Sequence, residues 1–410
     1  MAKQDQLLIG LDIGTSKIAC VVAEASADGK LDIIGIGTHP SRGLRKGVVV
    51  NIESTVESIR LAVEEAELMA GVEIKSVFTG IAGSHIRGYN SHGVVATKNG
   101  EVTAEDVARV IDAARAMNIP ADQKILHILP QEYIIDNQDG IREPVGMSGV
   151  RLEAKVHIVT GAVSSAQNII KCCNRCGLEV ADMVLEQVAS SEAVLSQDEK
   201  DIGVVLLDMG GGTTDIAVFL NGAIQHTAVI PIGGDHLTND LVVGLRTSAR
   251  EADQLKKKYG ACLVSIVSPD EQVEVPSVGG RPPRPMPRQV MAQILEPRVE
   301  ELFELVKAEL QRSGFKELMA AGLVLTGGCS LLEGTVELGE EVFEMPVRLG
   351  RPQNAGGLAE VVGSPIFATS VGLVQYGYRY RRRGPMGKVE NTQLFARVWQ
   401  RMRNWFGDPA

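Results

Sequence analysis

One pattern occurs twice in this chain and limits what it can fold into. Residues 204–219, Val-Val-Leu-Leu-Asp-Met-Gly-Gly-Gly-Thr-Thr-Asp-Ile-Ala-Val-Phe, run from an apolar stretch through Asp208 into three glycines and back into an apolar stretch. Residues 204–207 read as a buried strand, Gly210, Gly211 and Gly212 as a tight turn with positive φ, and Thr213, Ile216 and Val218 as a returning strand. Backbone amides at such a tip form an anion nest, and a carboxylate beside it can hold Mg²⁺ through water. An ordinary glycine hairpin would carry the same letters. A second copy argues against that reading. Residues 8–22, Leu-Ile-Gly-Leu-Asp-Ile-Gly-Thr-Ser-Lys-Ile-Ala-Cys-Val-Val, repeat an apolar strand, Asp12, Gly14, Thr15 and an Ile-Ala pair. Self-similarity half a chain apart indicates two related lobes whose hairpins can face each other and clamp a polyphosphate. A third stretch, Leu323-Val-Leu-Thr-Gly-Gly-Cys-Ser330, places Gly327 and Gly328 after a strand, with Ser330 expected as a helix N-cap. Backbone without side chains there can approach a flat base or an α-phosphate closely. No G-x-x-x-x-G-K-[ST] occurs, so this is no Walker loop.

With 410 residues, 44% of them hydrophobic, the chain can bury more than one core. A net charge of −10 argues against nucleic acid as a partner. The six cysteines (20, 172, 173, 176, 262 and 329) fall inside apolar or helical patterns, which suits core packing in a reducing compartment. No apolar leader and no run of about 18 apolar residues is present, so neither secretion nor a membrane span is expected.

Between the hairpins, Asn51 is placed to cap a helix ending at Gly71, and residues 77–81 return as a strand. From Ser84 to Gly161 the pattern changes: strands near 93–97, 125–129 and 151–159 and a helix from Thr103 supply enough material for a small inserted subdomain. His85, His92, His127 and His157 fall there without a metal-ligand spacing. Glu186 opens a helix, and Ser248-Ala-Arg-Glu251 reads as a capping box on another. In that second helix Asp253 and Lys256 share one face, either as a surface ion pair or as part of a site. Residues 279–288 are too rich in Pro and Gly for a regular element. A long amphipathic helix is expected over 288–313.

The end of the chain is different again. A polar, basic linker precedes Leu394, Phe395, Val398, Trp399, Met402, Trp405 and Phe406, which form one helical stripe edged by Arg397, Arg401 and Arg403. Both tryptophans of the protein lie in it, and so much aromatic surface after a linker reads as an in-plane anchor on anionic lipid rather than as core. The alternative is a helix that docks on protein.

The two hairpins and the Gly-Gly turn resemble the phosphate-1, phosphate-2 and adenosine motifs of the actin, sugar-kinase and heat-shock-chaperone ATPase superfamily. Within it the chain resembles the FtsA family of bacterial cell-division proteins, over residues 10–17, 161–165, 185–191, 273–283 and the tail. The resemblance implies an α/β, actin-like two-lobe fold with duplicated RNase H-like lobes, an inserted 1C subdomain and a C-terminal amphipathic helix. It divides the chain into 1A (1–83 and 163–201), 1C (84–162), 2A (202–228 and 302–363), 2B (229–301), a return helix (364–380), a linker (381–392) and the anchor (393–406). It implies ATP and Mg²⁺ as cofactors, with Asp12 and Asp208 organising the metal through water and Glu186 where relatives place the residue that orients the attacking water. Gly14, Thr15, Ser16, Lys17, Gly210, Gly211, Gly212, Thr213 and Thr214 would hold phosphates, and Gly234, Gly327, Gly328, Asp253 and Lys256 would surround the nucleoside. The family usually carries Glu at the position of Asp253, one methylene longer. Implied partners are the C-terminal peptide of FtsZ on 2B, further copies of the chain, later membrane proteins of the divisome and anionic lipids. The implied place is the cytoplasmic face of the inner membrane at the septum, with hydrolysis slow at most. Two rivals share the fold. A sugar or acid kinase would have no use for the tail, and cell-shape or pilus-assembly scaffolds differ in the inserted subdomain.

Overall fold

The computed structural model describes residues 7–26, 30–279 and 281–382. All ten residues of the expected membrane stripe and its edges, from Leu394 to Phe406, lie outside the described residues.

Strands β1 (Leu7–Ile13), β2 (Lys17–Ala25) and β3 (Leu31–Pro40) form an antiparallel meander, followed by the short ribbon β4 (Leu44–Arg45) and β5 (Val48–Val49). Helix α1 (Ile52–Ala70) starts where Asn51 accepts the Ser54 amide and stops at Gly71, whose φ of 66° is left-handed. Strand β6 (Ser76–Ile81) then pairs parallel to β1. The chain leaves this sheet to build a second one from β7 (Arg87–Ala96), β8 (Gln123–Ile135), β9 (Gln138–Ile141) and β10 (Arg151–Ala162), in the order β7-β10-β8-β9. Helix α2 (Ala104–Arg115) lies on one face of it, started by a reciprocal cap between Thr103 and Asp106. Gly93 allows that close approach, since a Cβ there would stand 2.2 Å from the Val110 carbonyl oxygen. Helix α3 (Val163–Arg175) and strand β11 (Glu179–Leu185), parallel to β6, return the chain to the first sheet.

Helices α4 (Glu186–Val194) and α5 (Gln197–Ile202) lead to the second lobe. There β12 (Val204–Met209), β13 (Thr214–Leu220) and β14 (Ala223–Ile230) form another antiparallel meander. Helices α6 (Gly234–Leu245) and α7 (Ala249–Tyr259), the ribbon β15 (Gln272–Val275) with β16 (Arg284–Pro287), and α8 (Arg288–Ser313) follow. Then come β17 (Leu323–Thr326), α9 (Thr335–Phe343), β18 (Val347–Leu349), β19 (Ala355–Gly357), α10 (Ala359–Val362) and α11 (Ala368–Arg382). The two large sheets have one wiring. The order β11-β6-β1-β2-β3 in the first and β18-β17-β12-β13-β14 in the second are the same plan, a meander with two parallel strands added to its first strand. The fold is therefore α/β with duplicated lobes, as the repeat implied, and an inserted sheet, in the arrangement that the resemblance to the actin-like superfamily implied.

Central strands β1 and β12 are buried throughout, which is why they read as unbroken apolar runs. Each side chain so removed from water contributes at most about 1.5–3 kcal/mol. Helix α11 returns to the first lobe and packs on α4, where a Cβ at Gly372 would stand 1.8 Å from the Ala189 carbonyl oxygen.

Two expectations are corrected. Residues 284–287, expected to be irregular, form strand β16, with Pro285 and Pro287 opposite Glu274 and Gln272. Prolines at alternate positions leave both missing donors on the open side of a two-stranded ribbon, where no ladder bond is lost. The helix expected to end at 380 continues to Arg382, so the linker's first two residues are helical.

Candidate nucleotide site

Both hairpins close with the same bond. The Gly14 amide donates to Lys17 O at 3.1 Å, and the Gly210 amide to Thr213 O at 2.9 Å. Residue by residue, Asp12 pairs with Ala19 across the first hairpin and Asp208 with Asp215 across the second. Lys17 is thus the counterpart of Thr213, and the Ile-Ala pair common to both sequences is not structurally equivalent.

The glycines of the second tip are needed for contact, not for conformation, which corrects the expected positive φ. Gly210, Gly211 and Gly212 are absent from the positive-φ residues. A Cβ on Gly211 would stand 1.8 Å from Ser16 Oγ, and one on Gly212 2.7 Å from Thr15 Oγ1. The tips of the two lobes therefore touch, and Ser16 also hydrogen-bonds to Asp235. The first amides of α6 hold the second tip from behind, Gly234 N–H donating to Gly210 O at 3.0 Å and Asp235 N–H to Gly211 O at 2.8 Å.

Four carboxyl groups gather beneath the tips. Asp12, Asp208 and Asp215 are buried, and Glu186, the first residue of α4, lies over Gly80, where a Cβ would stand 2.9 Å from Glu186 Cγ. Asp208 Oδ2 accepts hydrogen bonds from Ser190 Oγ at 2.8 Å and Thr369 Oγ1 at 3.2 Å. Burial raises the whole group: Asp12 to about 6, with Lys17 opposing and Asp208 adding, and Asp215 to about 7, with Asp208 adding. Asp208 is likewise raised by burial, and Glu186 well above its usual value by burial and then by Asp12, Asp215 and Asp208. Lys17 Nζ donates to Ile366 O at 2.7 Å and lies 4.4 Å from the centre of the Phe367 ring. Burial lowers its pKa, against the pull of Asp12 and Asp208.

Sequence reasoning missed Asp215, Ser190, Thr369 and Asp235. Asp215 had a signal, because a strand partner directly opposite Asp208 must share its face of the hairpin. Asp215 Oδ1 is buried without a hydrogen-bond partner. An orphaned carboxylate oxygen beside Asp208 is the donor chemistry a hydrated divalent cation needs. Among the described residues no three His, Cys, Asp or Glu side chains converge to ligate a metal directly.

On the side expected to face a nucleoside, Gly327 adopts φ 82°, and a Cβ there would stand 2.5 Å from Asp208 Oδ1. Gly328 opens a short 3₁₀ turn, and a Cβ there would make only an ordinary contact with the Ile366 side chain at 3.8 Å. Ser330 is not the expected N-cap. It lies inside the turn and donates to Gly327 O at 2.7 Å. Lys256 Nζ reaches Gly234 O at 2.9 Å and Thr238 Oγ1 at 2.7 Å, with Asp253 Oδ1 at 3.1 Å. Asp253 also meets Lys257 at 2.6 Å. Burial raises its pKa, but the two lysines outweigh that and hold it below the usual value. The expected capping box is half present, since Glu251 N–H donates to Ser248 Oγ at 3.3 Å.

With this geometry in place, comparison with known proteins becomes specific. The family model described as "Cell division protein FtsA" matches residues 205–372, and "SHS2 domain inserted in FTSA" matches residues 83–160, which takes in the four-stranded sheet up to the last two residues of β10. The chain is 56% identical to the cell division protein FtsA of Pseudomonas aeruginosa, over 98% of this chain and 97% of that one. It is 43% identical to that of Escherichia coli, over 98% of each. Solved structures of similar fold include a PilM-PilN type IV pilus biogenesis complex (TM-score 0.66, 16% identity, 90% and 98% of the two chains). Another is MreB 5 of Spiroplasma citri bound to AMPPNP (TM-score 0.56, 14% identity, 93% and 99%). At such identities these two speak for the fold alone. Full-length identity to relatives of one name, with the insertion in the same place, shows that the chain belongs to the FtsA family of cell division proteins.

Proposed function

We propose that this protein binds Mg-ATP between its lobes, assembles with copies of itself, and ties FtsZ to the cytoplasmic face of the inner membrane, where later division proteins join it. The observation that carries the nucleotide reading is the meeting of two hairpin tips over buried Asp12, Asp208 and Asp215. The MreB relative's complex with AMPPNP, on the same fold, supports it. Amides of Thr15, Gly211 and Gly212 bind phosphate oxygens, helped by Ser16, Lys17, Thr213 and Thr214, while Gly14 and Gly210, whose own amides close the hairpins, let the phosphates approach the tips. Lys17 leaves the Ile366 carbonyl to do so. Gly234, Gly327 and Gly328 line the nucleoside, with Asp253 and Lys256 at its edge. Mg²⁺, held through water by Asp12 and Asp208, would neutralise charge between the phosphates. Glu186 takes the position from which water is oriented. Burial and the acids beside it raise its pKa, and a cation bound among them would favour its carboxylate form; hydrolysis is read as slow, with the nucleotide serving assembly.

Two further features support the adaptor reading. An open depression of about 450 Å³ between α6 and α8 is lined by Val243, Ile294 and Pro297 together with Glu301 and the Arg298–Asp240 ion pair. It suits an extended peptide with apolar anchors, such as the end of FtsZ. Among the described residues no helix is long and apolar enough to cross a membrane. Attachment then falls to the stripe from Leu394 to Phe406, where each arginine at an anionic surface contributes about 1 kcal/mol. Flotation with anionic liposomes, ATP and FtsZ tests the reading. The full chain should float and carry FtsZ, and a chain ending at Glu390 should not. Flotation without FtsZ would remove the partner, and no flotation by either chain would remove the anchor.

A further inference from the structure

The inserted sheet lies across the seam between the lobes. On the face away from α2 it carries two histidines at neighbouring register pairs, His127↔Val159 and Leu129↔His157. Val159 and Leu129 pack with the first lobe's core, whereas Ile128 and Ile158 pack under α2. His127 Nε2 accepts the Leu185 N–H at 2.9 Å. Leu185 is the N-cap of α4, just before Glu186, and its side chain offers no cap. Burial pushes the His127 imidazole down to about 4, so it is neutral, and an accepting Nε2 leaves the proton on Nδ1. His157 reaches the other lobe. Its ring nitrogens lie 2.7 Å from Asn90 Oδ1 and 2.8 Å from Thr227 Oγ1 on β14.

Strand β14 is the edge of the second lobe's sheet, and its open side needs cover. The insertion provides it. Asn90 Nδ2 donates to Gln225 O at 3.1 Å, Gln131 Nε2 to Ile224 O at 3.0 Å, and Arg142 Nη2 to Asn221 O at 2.8 Å. Gly88 leaves room for the contact, since a Cβ there would stand 2.6 Å from Thr227 Oγ1. The far end of β14 pairs Ile230 with Thr214 beside the glycine tip, and Thr214 Oγ1 donates to Ile232 O at 2.9 Å. A shift of β14 is therefore a shift of the phosphate turn.

We propose that the inserted domain is a clasp on the cleft: continuous with the first lobe, it is hydrogen-bonded to the β13–β14 hairpin of the second, and lobe separation must break those bonds. Nucleotide release is then coupled to whatever lifts the insertion from β14. The clasp itself rests on these contacts, and its effect on release rests also on the nucleotide reading above. The test uses the full chain with Thr227→Val/Arg142→Ala, with Thr227→Ser to restore the hydroxyl and Ile111→Val to loosen the insertion under α2 without touching β14. Hydrogen exchange of the nucleotide-free protein over residues 222–230, and release of a preloaded fluorescent ATP analogue into excess ATP, are both read. Exchange and release should each quicken about tenfold in the double variant, while Thr227→Ser and Ile111→Val stay at the parent rates. Unchanged exchange, quickened exchange with unchanged release, or equal quickening by Ile111→Val would each overturn the clasp. If the parent binds no analogue the nucleotide reading fails, and the exchange measurement still decides the clasp.

Discussion

The two hairpins share register and closing bond, and of the positions at which they differ two change the charge of the tips. Where the first has Lys17 and Ala19, the second has Thr213 and Asp215. One tip thus brings a cation, and the other brings a second acid opposite Asp208. Their burial explains why the pair belongs together. Lys17 lowers the cost of burying Asp12, whereas Asp215 has no such neighbour and is pushed to about 7. Duplication supplied two hairpins of one plan, and divergence at these positions left one tip with a lysine and the other with a second acid.

That contrast is broken most severely by Ala19→Asp. Ala19 is fully buried, and an unpaired charge there should destabilise the fold by about 3 kcal/mol or more. A large drop in melting temperature and in soluble yield is expected, and a wild-type melt would contradict the asymmetry. Next comes Asp208→Ala, expected to weaken Mg-ATP on the order of a hundredfold in equilibrium titration, beside a stability change of about 1–3 kcal/mol at most, because Ser190 and Thr369 lose their shared acceptor while a buried carboxyl is removed. Gly211→Ala should be intermediate, about 1–3 kcal/mol of stability with weaker nucleotide binding, because its cost is overpacking against Ser16 and not backbone strain.

A pH series sharpens the comparison. Asp215 is raised on folding, so its protonated form stabilises, and that contribution is lost as pH rises from about 4 through about 7. Asp215→Asn should therefore melt higher than the parent at pH 8 without nucleotide, with the difference shrinking toward pH 5. A constant difference would place the titration elsewhere. His127 and His157 have the opposite sign. Depressed to about 4 and about 3, they remove stability as pH falls below the unfolded value of about 6.5. The smallest change is expected of Asp253→Glu, less than about threefold in nucleotide affinity, because Lys256 and Lys257 already hold the carboxylate.

Much of this was legible before any coordinates. Apolar runs ending in Asp12 and Asp208 are central buried strands, since a strand covered on both faces has no reason to alternate. Thr103 and Asn51 start helices because a side-chain oxygen beside an apolar periodicity has few other uses. The errors share one cause. Glycine at 210–212 was read as conformational freedom, and Ser330 as a cap, because local rules see only the local chain. Asp215 was passed over for the same reason, its significance lying across the hairpin.

The sequence by itself determined the duplicated α/β lobes, the insertion, the three glycine turns and the two aspartates that end the central strands, because periodicity and turn chemistry are properties of neighbours in the chain. Only the tertiary structure decided that the tips touch through Ser16 and Gly211, that Asp12, Asp208 and Asp215 are buried together, and that the insertion reaches β14 through His157. Those are contacts between residues tens to hundreds of positions apart, and their energies come from burial and desolvation, which exist only once the chain has closed on itself.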